Sequence, residues 1–128
     1  MTGVIEVRCY ELKANAQAAF EKLFLEEVEP LLAAWGHRIV FAGRSLHGDD
    51  TFVLIRSYDS EDHRRASQDS FYSSDDWRNG PREAMLAMID RFTSGVLPIT
   101  NDTLASWQTE LSGTINAPGP ERRAGSGS

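Results

Sequence analysis

The 128-residue chain is poor in cysteine, in lysine and in long apolar runs. Its single cysteine, Cys9, excludes an internal disulfide and any CxxC metal or redox motif. Residues around Cys9 alternate in polarity, so the thiol is expected on a strand, buried and inert. Lysine occurs only at Lys13 and Lys22, and the other basic residues are arginines, which suit ion pairs and carboxylate binding. The formal net charge is -6 and no basic tract interrupts it. That balance argues against nucleic acid and against an anionic membrane surface as partners. No window approaches the roughly 18 apolar residues of a membrane span. The opening MTGVIEVRCYEL has no charged leader followed by a long apolar run, so the expected location is the cytoplasm. GxGxxG, P-loop and GxSxG signatures are also missing, and no nucleotide cofactor is implied. His37, His47 and His63 show neither HxH nor HxxxH spacing, so no metal site is expected.

What is present is an orderly change of period. Residues 4–10, VIEVRCY, alternate, with Ile5, Val7 and Cys9 on one side and Glu6, Arg8 and Tyr10 on the other. Phe20, Phe24, Val28, Leu31, Leu32 and Trp35 then recur at helical spacing. Asn15 is the predicted N-cap and Gly36 the predicted stop. Pro30 predicts a kink, or a restart with proline in the first turn. HRIVFAGRS and TFVLIRSYD read as strands joined by a short turn, LHGDD. Ser60 should cap a helix, EDHRRASQDSFY, and Ser73 or Ser74 a single turn at SSDDW. Pro81 should open a further helix whose buried stripe is Met85, Met88, Ile89 and Phe92. GVLPIT reads as a short fourth strand, its proline marking an edge or an end.

The order β-α-β-β-α-α-β predicts a ferredoxin-like α+β domain over residues 1–99, an antiparallel four-stranded sheet with helices on one face. Residues 100–128 read as an extension, with a short helix at 102–111 and then a Gly/Pro/Ser-rich disordered tail. The second and third strands are apolar on both sides. Ile39 and Phe41 alternate with Val40 and Ala42, and Phe52 and Leu54 with Val53 and Ile55. A sheet apolar on both faces needs a second cover. A second copy, packed face to face by two-fold symmetry, is the expected one. Its rival is the segment around Trp107 folding back over its own sheet.

Three stretches carry a resemblance: YEL in the first strand, FVLIRSYDSEDHRRA, and above all FYSSDDWRNGPREAML. They resemble the NIPSNAP family, which is similar to the superfamily of dimeric α/β-barrel proteins, where two ferredoxin-like units close their sheets into one barrel. The likeness covers about residues 4–98, is weaker at TSGV (93–96), and finds no counterpart beyond 99. It implies the fold and the homodimer, and no particular activity. Enzymes of the superfamily often work without a cofactor, some oxidising activated aromatics and others cyclising or isomerising them. Others bind haem through a histidine, and no histidine here sits within a strand or on an apolar helix face.

Candidate chemistry follows from the polar sides of the strands. If they turn into the barrel, Glu6, Arg8, Tyr10, Arg56 and Tyr58 form a few convergent polar groups in an apolar cavity, fit for a small, flat, oxygenated molecule. A tyrosine beside an arginine can have a lowered pKa and act as acid or base. The equal alternative is a structural ion-pair network of Arg8 with Glu6 or another acid. Tyr10 and Arg8, with His37 or His47 at the strand ends, are the candidate catalytic groups. Trp77, Arg78 and Arg82 either rim the barrel mouth and grip a carboxylate or simply build a helix corner. The expected function is a homodimeric barrel that binds a small organic molecule. The alternative is a cofactor-independent monooxygenase, cyclase or isomerase acting on an activated aromatic or polyketide-like substrate. A barrel filled by its own side chains is a further possibility, told apart by cavity volume.

Overall fold

The N-terminal alternation folds as a strand longer than its pattern, β1 (Thr2–Leu12). The computed structural model describes residues 2–48 and 50–111. Next come α1 (Gln17–Leu23), a π-helical turn (Phe24–Val28) and α2 (Glu29–Ala34), then β2 (Arg38–Arg44) and β3 (Thr51–Tyr58). The chain continues through α3 (Glu61–Tyr72), α4 (Asp75–Arg78), α5 (Arg82–Ala87), β4 (Ile89–Thr100) and α6 (Asn101–Glu110). All strand pairs are antiparallel, in the order β2-β3-β1-β4. This is the ferredoxin-like arrangement. The expected disordered tail, 112–128, lies outside the described residues.

Pro30 explains the irregular first helix. A proline has no N–H, and its ring clashes with the carbonyl four residues back. The preceding turn widens to π geometry, Glu29 N–H reaching Phe24 O, and α2 restarts with Pro30 in its first turn. Gly36 ends α2 at φ 83°. Its N–H bonds to Ala33 O (3.0 Å) and that of His37 to Leu32 O (2.9 Å), the paired bonds of a Schellman motif. Gly36→Ala should therefore cost about 1 kcal/mol, since an L-residue resists that conformation. Urea unfolding would read it, and an unchanged midpoint would contradict it. Asn15 is not the expected N-cap. It takes φ 64° in the turn before α1, whose cap position is Ala16. Ser60 and Ser74 do cap α3 and α4, accepting the N–H of His63 and Trp77.

The helical stripe expected through Phe92 stops early. α5 ends at Ala87, and Ile89 and Phe92 belong to β4. β1 supplies the reason: it offers a partner to nearly every residue of β4, from Thr2↔Thr100 to Tyr10↔Phe92 and Leu12↔Ile89. Pairing of aromatic and branched side chains then overrides a local helical period. β4 is an edge strand, which tolerates the missing donor of Pro98.

The main core lies between the sheet and α1–α5. Phe52 packs there against Phe20 (ring centroids 5.0 Å) and Phe24 (5.2 Å). The opposite face carries a smaller cluster, Ile5, Val40, Ile55 and Ile99, against which Leu104, Trp107 and Leu111 pack. A bulge in β2 skips Val40: Ile39 pairs with Arg56 and Phe41 with Ile55. Strict alternation therefore fails. Val40 and Phe41 both join the smaller cluster, while Ile39 and Ala42 join the main core.

Candidate functional site

Period-two alternation puts Glu6, Arg8, Tyr10 and Leu12 on one face of β1, and antiparallel pairing sets Glu6 opposite Arg56 and Arg8 opposite Leu54 on β3. Tyr10, Leu12 and Leu54 are core residues on the helix side. The polar face expected inside a dimer barrel thus turns toward the chain's own helices. The physical reason is cover. α3 brings Gln68 and Tyr72, four residues apart on one helical face, to satisfy the strand charges.

Glu6 is the hub, with 1 % of its surface exposed. One oxygen accepts from Arg56 Nη2 (2.6 Å) and Gln68 Nε2 (2.6 Å), the other from Arg8 Nη2 (2.9 Å). Arg64 Nη1 stands 3.7 Å away, but Arg64 is held chiefly by Glu61 (2.7 and 2.8 Å). The Tyr72 hydroxyl accepts from both Arg8 Nη1 (3.2 Å) and Arg56 Nη1 (3.0 Å). Tyr58 takes Gln68 Nε2 at 3.3 Å and meets His37 Nδ1 at 2.8 Å.

The electrostatics follow from burial and charge. Burial pushes the Glu6 carboxyl up, but the guanidiniums of Arg56 and Arg8 outweigh it and hold Glu6 below its usual range. Burial, joined by the Arg56 charge, drives His37 down to about 4. Tyr10 is pushed up to about 12, by burial first and then by Tyr72. The lowered tyrosine pKa expected beside Arg8 is therefore reversed, because desolvation of the phenolate exceeds the attraction of the arginines. Tyr58 is likewise raised by burial.

In front of this network lies a cavity of about 440 Å³ between sheet and helices. Arg8, Tyr10 and Leu54 form its floor, Val28 and Leu32 one side, and Gln68, Phe71 and Tyr72 the roof. Trp77, Arg82, Met85 and Leu86 come from the α4–α5 corner, and Ile89 and Phe92 from β4. Phe92 stacks on Arg8, the guanidinium carbon 4.9 Å from the ring centre.

The corner and the wall are one stretch. A Cβ at Gly80 would stand 2.3 Å from Asp76 O, so the tight turn there demands glycine. That turn leaves Arg78 exposed and off the wall, while Trp77 and Arg82 face the cavity. Of the predicted residues, Arg8, Tyr10, Trp77 and Arg82 line it, and Glu6, Arg56, Tyr58 and His37 form the network. His47 sits exposed in the β2–β3 turn, its N–H donating to Ser45 Oγ, and joins neither group. Sequence reasoning missed Gln68 and Tyr72. Their four-residue spacing within α3 was the available signal. Among the described residues no cluster of His, Cys, Asp or Glu could hold a metal ion. No described helix is long and apolar enough to cross a membrane.

Comparison with known proteins places this geometry. The family model described as NIPSNAP matches residues 5–110. No curated protein matches the chain. An uncharacterized NIPSNAP domain protein from Burkholderia xenovorans superposes with TM-score 0.69 at 18% identity, over 77% of this chain and 95% of that one. A NIPSNAP family protein from Agrobacterium tumefaciens gives 0.71 at 17% identity, over 80% and 90%. A protein described as "putative antibiotic biosynthesis monooxygenase", from Bacteroides thetaiotaomicron, gives 0.56 at 12% identity, over 77% and 88%. Likenesses at these identities show the fold alone.

Proposed function

The chain belongs to the NIPSNAP family, and from that premise we propose that it is a homodimer that binds a small organic molecule between its sheet and its helices. The cavity carries this reading. Its volume, about 440 Å³, suits a small ligand, and its walls are mostly apolar and aromatic with a few convergent polar groups. Binding without turnover is favoured over a monooxygenase, cyclase or isomerase. Among the described residues the wall holds no histidine and no carboxylate, and Tyr10 keeps its proton at neutral pH. The homodimer rests on the opposite face of the sheet. α6 covers only part of it, leaving Leu97 52% exposed and Val7, Phe41 and Val53 half-buried.

Thermal unfolding of the full chain against a panel of small planar compounds tests the binding. A ligand at about 100 times its Kd should stabilise the fold by about 2.7 kcal/mol, seen as a rise of several degrees in Tm. Leu86→Trp should abolish that rise, because Leu86 lines the mouth and is 45% exposed, so a larger ring plugs the opening without disturbing the core. No responding compound, or a response undiminished in the variant, would defeat the reading. Sedimentation should give twice the 14.3 kDa chain mass, and a monomer would remove the dimer.

A further inference from the structure

We propose that the molecule held in this cavity is an organic anion, a flat apolar body whose acidic oxygens meet Arg8 and the Tyr72 hydroxyl. The inference rests on the binding reading above and adds the sign and place of the ligand's charge. Its first support is an inversion of composition. The chain has 19 acidic and 13 basic residues, yet the cavity wall carries Arg8 and Arg82 and, among the described residues, no acid. Arg82 makes no ion pair among the described residues either.

The second support is the balance behind the wall. Arg8 and Arg56 both pair with Glu6, and Glu61 is shared by Arg64 and Arg65, so one buried positive charge is left over. Glu6 is already committed to Arg56, Gln68 and Arg8. An uncompensated buried charge is costly, and a ligand carrying the opposite charge relieves that cost.

The third support is the donors left over. Arg8 gives one N–H of Nη1 to Tyr72 and one of Nη2 to Glu6, so each terminal nitrogen keeps a second N–H to donate, and its buried Nε has no partner among the described residues. The Tyr72 hydroxyl accepts two guanidinium N–H bonds, which occupy both its lone pairs and leave its proton to donate. The Tyr10 hydroxyl lies close to the same guanidinium. Donors from a cation and a hydroxyl, facing apolar walls of Phe71, Trp77 and Phe92, define an acceptor-only head on an aromatic or alicyclic body. Carboxylate, phenolate and enolate share that chemistry.

Calorimetric titration of the full chain at pH 7.5 decides it, with 2-naphthoate, its neutral amide and neutral naphthalene-methanol as probes. The carboxylate should bind at least about tenfold tighter than either neutral probe, as a charge-assisted hydrogen bond warrants. Arg8→Gln should erase that preference while leaving the amide within about threefold, and Tyr72→Phe should reduce it by about three- to tenfold. Tyr72→Phe keeps the ring, so it stands in if Arg8→Gln fails to fold. An acidic nitronaphthol that also binds tightly would extend the head group to phenolates and support the same assignment. Neutral probes binding as well as the carboxylate would overturn the charge assignment and leave the cavity reading intact. If no probe of either charge binds, and none of the planar panel does, the cavity reading falls and the inference with it.

Discussion

Glu6→Gln is expected to lower the unfolding free energy by about 3–5 kcal/mol, the typical cost of removing one partner from a buried ion pair. The substitution keeps shape and removes charge, so the loss is electrostatic. Arg56, fully buried, and Arg8, nearly so, would then face each other across β1 and β3 with only Tyr72 and amide oxygens to accept from them. Urea denaturation at pH 7 should show a lower midpoint with an unchanged slope. A loss under about 1 kcal/mol would mean that the two guanidiniums are not held by this carboxylate, and the network would lose its hub. The pH dependence has a definite sign. The folded pKa of Glu6 lies below the ordinary 4.5, so its stabilising contribution is complete above about 4.5 and is lost as pH falls through the folded value. Glu6→Gln should be correspondingly less sensitive to acid in that range.

The second large effect belongs to His37. Its folded pKa is driven to about 4 from an ordinary 6.5. Above about 6.5 the imidazole is neutral in both states and contributes no pH dependence. As pH falls from 6.5 to 4, the unfolded chain takes up the proton first, and stability should drop by about 3 kcal/mol. The geometry gives the cause. The His37 Nδ1 and the Tyr58 hydroxyl share a buried hydrogen bond of 2.8 Å whose direction follows the imidazole tautomer. A doubly protonated ring keeps that contact by donating to the Tyr58 oxygen, so the cost of protonation is the buried charge itself, brought toward Arg56. A weak pull from the Ser67 backbone is outweighed. His37→Phe keeps the ring contacts with Phe71 (5.2 Å) and Tyr58 (5.6 Å) and should flatten the dependence between pH 6.5 and 4. Parallel stability curves for the two proteins would show that another group sets the slope.

The two effects explain why the site was only half legible in the sequence. Glu6, Arg8 and Tyr10 alternate on one strand, so their shared face could be read directly. The pairing of Glu6 with Arg56 needed the register of β1 against β3, which the residue pattern does not print. Gln68 and Tyr72 were visible as a spacing on α3, but nothing local says which face of that helix meets a strand. Tyr10 shows the same limit in its chemistry. Its arginine neighbour was correctly read, yet the depth of burial reverses the direction of its pKa. Arg78 and Arg82 stand four residues apart in one stretch and are both exposed, yet across the Gly80 turn only Arg82 reaches the cavity wall.

By itself the sequence determined what depends on short-range rules. Periods of two and 3.6 marked the elements, Ser60 and Ser74 their caps, Gly36 and Pro30 their stops and restarts. The element order in turn restricted the topology to the ferredoxin-like arrangement. Tertiary structure alone decided what depends on partners far along the chain. β1 templated β4 through Phe92 against a local helical period, and the β2 bulge turned Val40 and Phe41 to one face. The helices, not a dimer barrel, took the polar face of the strands and left a cavity before Arg8. Local periodicity tells which side chains share a face. Which cover that face meets is settled by the long-range packing that buries the most apolar surface while leaving the fewest charges unpaired.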